Sequence, residues 1–223
     1  MVRSMKRVKF DEFYSSDDHY FSQACSDGMV ECLEQSKVFP CDALDIGAGE
    51  GRNSIYLASQ GYKVTAVEPS ILGAKKIVEN AAKYGIDITV HNSDFLSVSK
   101  ALHKYGFVLA LTSLEHMEYE YLCKTITEIK RILTLNGYFY AIVFTEEDPG
   151  YTNDTINVSE CAMFVQHYFK KNELLNFFSD FEIITYKEYV KEDTTHGLKH
   201  YHGKAKLFAK KVICDGEDEC DAI

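Results

Sequence analysis

Asp45-Ile46-Gly47-Ala48-Gly49-Glu50-Gly51-Arg52-Asn53 is the stretch whose reading decides the fold. The apolar residues 43–46 predict a short strand. Residues 53–59, with Ile55, Leu57 and Ala58 apolar, predict a helix that Gly61 stops. A glycine-rich turn between a strand and a helix is the place where open α/β sheets hold ligands. A dinucleotide-binding turn needs glycines at offsets 1, 3 and 6, the last for close helix packing. Here the glycines fall at 47, 49 and 51, and the bulky Arg52 stands at offset 6, which argues against a nicotinamide oxidoreductase.

Outward from that loop, strand and helix signals alternate. Residues 63–67 read as a β-branched strand, and Ser70 is placed to cap a helix over 71–84 that Gly85 ends. Residues 86–90 and 107–111 read as the third and fourth strands, the latter continuous and apolar as a strand buried on both faces is. A helix over 118–133, a turn at Asn136-Gly137 and a fifth strand over 138–144 follow. Near the start, residues 21–36 read as a helix. In the last third a short helix over 171–178 precedes two long strands, 181–190 and 201–212, which must pair antiparallel because no helix joins them. The expectation is an α/β domain: a doubly wound, seven-stranded mixed sheet with a C-terminal antiparallel hairpin. It divides into an N-terminal segment and helix over 1–36, the main domain over 37–213 and an acidic tail over 214–223, expected to be disordered.

Composition narrows the function. The 223 residues carry 34 acids and 24 bases, a net charge of −10. Five of the acids, Asp215, Glu217, Asp218, Glu219 and Asp221, lie in the last nine residues, so the body is only mildly acidic. No cluster of bases is present to neutralise a phosphate backbone, which excludes nucleic acid as the main partner. No apolar stretch is long enough to span a membrane, and none of signal-peptide length follows the basic N-terminus. Seven cysteines without a CxxC pair fit reduced thiols, hence a cytoplasmic protein.

Three consecutive strand tips present groups that a nucleoside needs. The glycine loop brings backbone close to a ligand. Glu68, with Pro69 after it, ends the second strand, where a carboxylate accepts from both ribose hydroxyls. Asp94 can accept from an exocyclic adenine amine or cap a turn, and Phe95 offers apolar area to a ring. After the fourth strand comes Thr112-Ser113-Leu114-Glu115-His116-Met117. His116 is a candidate base or acceptor-orienting group, or a helix-entry histidine bonded to backbone. His200 and His202 are two apart on an expected strand and point to one face. With His196 they suit an anionic substrate, a transition metal or a turn; acceptor contacts are expected of them, and no metal. Tyr14 and Tyr20 belong either to a lid or to ordinary packing.

The loop, with Glu68, Asn92-Ser93-Asp94-Phe95 and Gly137, resembles the D-x-G-x-G-x-G pattern of class I S-adenosylmethionine-dependent methyltransferases over about residues 40–145. Gly51-Arg52-Asn53-Ser54-Ile55-Tyr56-Leu57-Ala58, Gly61-Tyr62-Lys63-Val64-Thr65-Ala66, residues 168–174 and residues 196–203 are similar to the tellurite-resistance branch of that superfamily. The resemblance implies a Rossmann-like fold and S-adenosyl-L-methionine as cofactor, with S-adenosyl-L-homocysteine as the other product. It puts the methionine moiety against Asp45, Gly47 and Gly49, with Ala48, Gly51, Arg52, Asn53, Glu68, Pro69, Asp94, Phe95 and Thr112 completing the cofactor site. Arg52 is then a partner for the methionine carboxylate or for a surface acid. Ala48 stands where the branch frequently has Cys. Nucleobase amino-methyltransferases usually carry an Asn/Asp-Pro-Pro-Tyr box after strand four; its absence implies a small acceptor, such as a chalcogen oxyanion, a thiol or a metabolite. His116 is the catalytic candidate, with Tyr20, His196, His200 and His202 toward the acceptor. The expected state is a monomer or homodimer. The rival readings are a non-catalytic sensor of the nucleoside and a nicotinamide oxidoreductase.

Overall fold

The computed structural model describes residues 10–15, 23–152, 158–194, 196 and 198–212. Tyr20 and the acidic tail lie outside these residues. The described residues hold one seven-stranded sheet in the order β3-β2-β1-β4-β5-β7-β6. The strands are β1 Asp42–Ile46, β2 Lys63–Val67, β3 Ile88–His91, β4 Tyr105–Leu111, β5 Leu133–Phe144, β6 Glu182–Asp193 and β7 His200–Lys210. The first five are parallel. β7 runs antiparallel between β5 and β6, so the C-terminal hairpin inserts its second strand into the sheet, as its missing crossover helix requires.

The helices are α1 Asp27–Gln35, α2 Arg52–Ser59, α3 Ile71–Tyr84, α4 Phe95–Ser99, α5 Tyr119–Ile132 and α6 Glu173–Phe177. They cover both faces, and successive strand residues supply the two cores in turn. Val108, Ala110 and Phe139 join Leu122, Ile126 and Ile129 of α5 on one face. Phe107, Leu109, Tyr140 and Phe208 join Met29, Leu33 and Leu57 on the other. This double burial is why β4 reads as an unbroken apolar run.

The local signals at α3 hold. The Gly73 N–H donates to Ser70 Oγ (3.0 Å), and Gly85 ends the helix at φ 64°. Elsewhere the boundaries differ from expectation. The helix expected over 21–36 begins at Asp27. α5 stops at Ile132, and β5 starts at once at Leu133, pairing with Tyr105. Asn136-Gly137 is therefore a kink inside β5 rather than a turn before it. Asn136 sits at φ 62°, its N–H donating to the Lys211 carbonyl. The β6–β7 loop is shorter than expected because both strands extend toward it. α4 and two 3-10 helices, Leu114–His116 and Glu160–Phe164, are too short to leave a periodic signal.

Candidate active site at the carboxyl edge of the sheet

β1 delivers Asp45 to the sheet's carboxyl edge, 1% exposed. Its Oδ2 accepts from Ser54 Oγ (2.7 Å) on the first turn of α2. Burial raises its pKa to about 6, against the easing effects of Ser54 and Arg52. The chain then passes through Gly47, Gly49 and Gly51, all in the left-handed region, with Ala48 and Glu50 between them. Two of these glycines are fixed by space as well as by φ. A Cβ on Gly47 meets Ser113 Cβ at 2.5 Å, and one on Gly51 meets Ile77 Cγ1 of α3 at 2.9 Å. Glycine at 51 therefore serves the close approach of α2 and α3. Asn53 holds the loop from behind: the Ser26 N–H donates to its Oδ1 (3.0 Å).

Glu68, at the tip of β2, is 4% exposed and turned toward this loop. The Gly49 N–H donates to its Oε2 (2.7 Å) and the Ser70 N–H to its Oε1 (2.7 Å). Burial raises its pKa to about 7, partly offset by these two bonds. Residues 10–15 close over the loop. Asp11 accepts from Ser70 Oγ and from the Leu72 N–H (3.0 Å), pinning the segment to the start of α3. Tyr14 is buried against Gly49 and Gly73, and burial, then the Glu68 charge, pushes its pKa well above the ordinary phenol value.

The cavity beneath is lined by Asp45, Gly47, Ala48, Gly49, Arg52 and Asn53 from the loop, together with Thr112, His116, Glu50, Phe10, Tyr14, Leu111 and Cys161. Glu50 is bridged to Lys76 of α3 (2.7 Å). Thr112, just past β4, has φ 48°, a conformation rare for a β-branched residue and common at functional sites. His116 ends the 3-10 helix that follows. Its Nδ1 lies 3.2 Å from the Phe164 carbonyl. A carbonyl only accepts, so Nδ1 carries a proton. His116 is thus a helix-entry histidine bonded to backbone that also lines the cavity.

Other sequence candidates stand apart from this cavity. Asp94 spends its oxygens on the Ser97 N–H (3.1 Å), Ser97 Oγ (2.7 Å) and Tyr121 Oη, as a cap of α4. Phe95 is packed in the α5-side core, 3% exposed, because α4 turns its first residue inward. Pro69 is exposed. His196, His200 and His202 do gather, but in a separate buried cluster with Asp148. Phe10, Glu50, Leu111 and Cys161 were not singled out in the sequence. Cys161 reaches the cavity from the 3-10 helix Glu160–Phe164, a segment without periodicity.

The model of the family described as tellurite resistance protein TehB matches residues 8–204. The chain belongs to the TehB family. A curated relative from Haemophilus influenzae, called a probable S-adenosyl-L-methionine-dependent methyltransferase TehB, is 25% identical over 181 residues. That match covers 79% of this chain and 59% of the relative, so the chain spans well under two thirds of the relative's length. The solved structure of TehB from Haemophilus influenzae superposes with a TM-score of 0.71 at 22% identity, covering 92% of this chain and 67% of that one. Magnesium protoporphyrin IX methyltransferase from Synechocystis, solved with bound S-adenosylhomocysteine, gives 0.68 at 17% identity, covering 94% and 98%. This TehB-family chain thus shares the Rossmann-like class I methyltransferase fold.

Proposed function

We propose that this protein transfers the methyl group of S-adenosylmethionine to a small acceptor. The observation that carries the reading is Glu68: a buried carboxylate at the second strand tip, fixed by two backbone N–H groups beside a left-handed glycine loop. The donor set fits a nucleoside. Glu68 keeps lone pairs for ribose hydroxyls, Asp45 offers a second carboxylate, and Arg52 can pair with an amino-acid carboxylate. The names of the relatives and the bound product in the Synechocystis enzyme support the same choice.

The cofactor supplies an already activated methyl on a sulfonium, so the protein's tasks are orientation and exclusion of water. Residues 10–15 exclude water by lying across the loop. The cavity they leave, about 80 Å³, is well below the roughly 300–1,000 Å³ of ordinary ligand sites. The segment therefore moves outward to admit a nucleoside and closes again over it. His116 Nε2 accepts a proton from an acceptor such as a thiol or hydroxyl as the new bond forms. The absence of a nucleobase-recognition box after β4 favours a small acceptor, such as a chalcogen oxyanion, a thiol or a metabolite. Seven cysteines without a CxxC pair support action in the reducing cytoplasm.

Calorimetric titration with S-adenosylhomocysteine tests the reading. Saturable binding that falls about 10- to 100-fold in Glu68→Gln supports it, on the scale of one charge-assisted hydrogen bond. Stabilisation by NADH with none by S-adenosylhomocysteine overturns it. His116→Ala then separates enzyme from sensor: the enzyme keeps nucleoside binding and loses turnover of small thiol or oxyanion acceptors.

A further inference from the structure

The histidine cluster lies beyond the nucleoside cavity, at the end of the sheet where β7 begins. His200 and His202 are 3% and 1% exposed, and the ring of His202 stacks on Phe144 at 4.3 Å between centroids. His200 Nδ1 is 2.6 Å from the Leu198 carbonyl, and His202 Nδ1 is 2.8 Å from Asp148 Oδ2. Both partners are acceptors, so both Nδ1 atoms carry protons and both Nε2 atoms present lone pairs. Yet those two Nε2 atoms face each other at 3.0 Å. Two lone pairs hold that separation only with a cation between them. A bridging proton serves two nitrogens. Here a third imidazole, His196, brings a ring nitrogen within 4.8 Å of the other two.

We propose that His196, His200 and His202 bind one divalent first-row transition ion of the zinc type. Imidazole nitrogens suit zinc, nickel, copper and iron. Zinc–nitrogen bonds of roughly 2.0–2.1 Å at a tetrahedral angle place two nitrogens about 3.3 Å apart, a few tenths of an ångström from the present separation. Asp148 performs the outer task of such sites: it is 1% exposed, accepts from His202 Nδ1 and is itself oriented by the Gly150 N–H (2.8 Å). Two acids flank the cluster, Asp148 against His202 (2.8 Å) and Asp193 near His196 (3.8 Å), with Lys204 beside Asp193. Three protein ligands leave a tetrahedral ion one further position, for water or an anion. The site also meets the element that carries a cavity residue. His196 Nε2 is 3.4 Å from Ser159 Oγ, the cap of the 3-10 helix that carries Cys161. The ion thus clips the β6–β7 loop, the start of β7 and this helix together.

The test uses the full chain without a tag, stripped with chelator and titrated with Zn²⁺ by calorimetry, with elemental analysis after dialysis. Co²⁺ serves as an absorbing substitute. One ion per chain is expected, together with a visible Co²⁺ band of nitrogen coordination. Both are lost in His200→Ala and in the milder His202→Gln, and affinity falls about 10- to 100-fold in Asp148→Asn. Circular dichroism checks that each variant is folded, and His196→Ala, outside the strands, provides the reading if a strand variant is not. Failure of the wild-type chain to take up Zn²⁺ overturns the proposal. So does uptake that persists unchanged in the folded histidine variants, which assigns the metal to thiols such as Cys214 and Cys220. Neither result bears on nucleoside binding, which the S-adenosylhomocysteine titration reads separately.

Discussion

Glu68 and Glu115 are both buried carboxylates, but their surroundings differ. Glu68 has a backbone donor on each oxygen. Glu115 is fully buried and neither carboxylate oxygen has a hydrogen-bond partner of good geometry among the described residues, so burial raises its pKa to about 8, against the easing effects of its own backbone N–H and of Lys204. Asp45, Glu68 and Glu115 all have folded-state pKa values above their unfolded ones. The unfolded chain therefore releases these protons first as pH rises. Their contribution to stability is full below about pH 4 and is lost progressively up to about pH 8. Glu115→Gln removes the largest part of this loss. It is expected to flatten the dependence of the melting temperature on pH between 5 and 8 and to raise stability at pH 8 by about 1–3 kcal/mol, measured by thermal unfolding across pH. Glu115 stands inside a stretch quoted from the sequence, yet nothing there marks it. Its significance comes from a 3-10 turn that buries it, and such turns leave no periodic trace.

At the scale of elements, α3 is held by its first turn. Ser70 accepts from the Gly73 N–H and donates to Asp11, so one hydroxyl caps the helix and fastens the segment over the cavity. Ser70→Ala is expected to cost about 1 kcal/mol in denaturant unfolding. It is also expected to speed amide exchange in residues 10–15 while leaving the rest of the sheet unchanged. The α2–α3 contact gives a sharper test. Gly51→Ala places a methyl 2.9 Å from Ile77 Cγ1 at φ 86° and is expected to destabilise by about 1–3 kcal/mol. These features were legible in the sequence. A cap residue and a left-handed glycine are local requirements, written at the position where they act. Cys161 and Asp148 were not legible, because tertiary contacts alone bring them to the cavity and to the histidines. Asp94 and Phe95 follow the third strand as the sequence indicates, and there Asp94 caps α4 while the Phe95 ring packs in the core.

For the molecule as a whole, the sheet was readable because its strands carry two kinds of pattern. Unbroken apolar runs mark strands covered on both faces, and the absence of a helix between β6 and β7 forces their antiparallel pairing. The edges of α5 and β5 were misplaced because Ile132 and Leu133 are buried on either side of a helix-to-strand junction that hydropathy does not mark. Phe139→Ala, which empties a position stacked on Phe178 at 4.5 Å, is expected to cost about 3–5 kcal/mol by chemical denaturation. One consequence of the strand order concerns synthesis. The seat beside β5 is taken by β7, whereas β6, made earlier, sits outside it. While the chain leaves the ribosome, β5 keeps a bare row of amides and carbonyls until residues 200–210 emerge. Such an edge invites pairing with a neighbouring nascent chain.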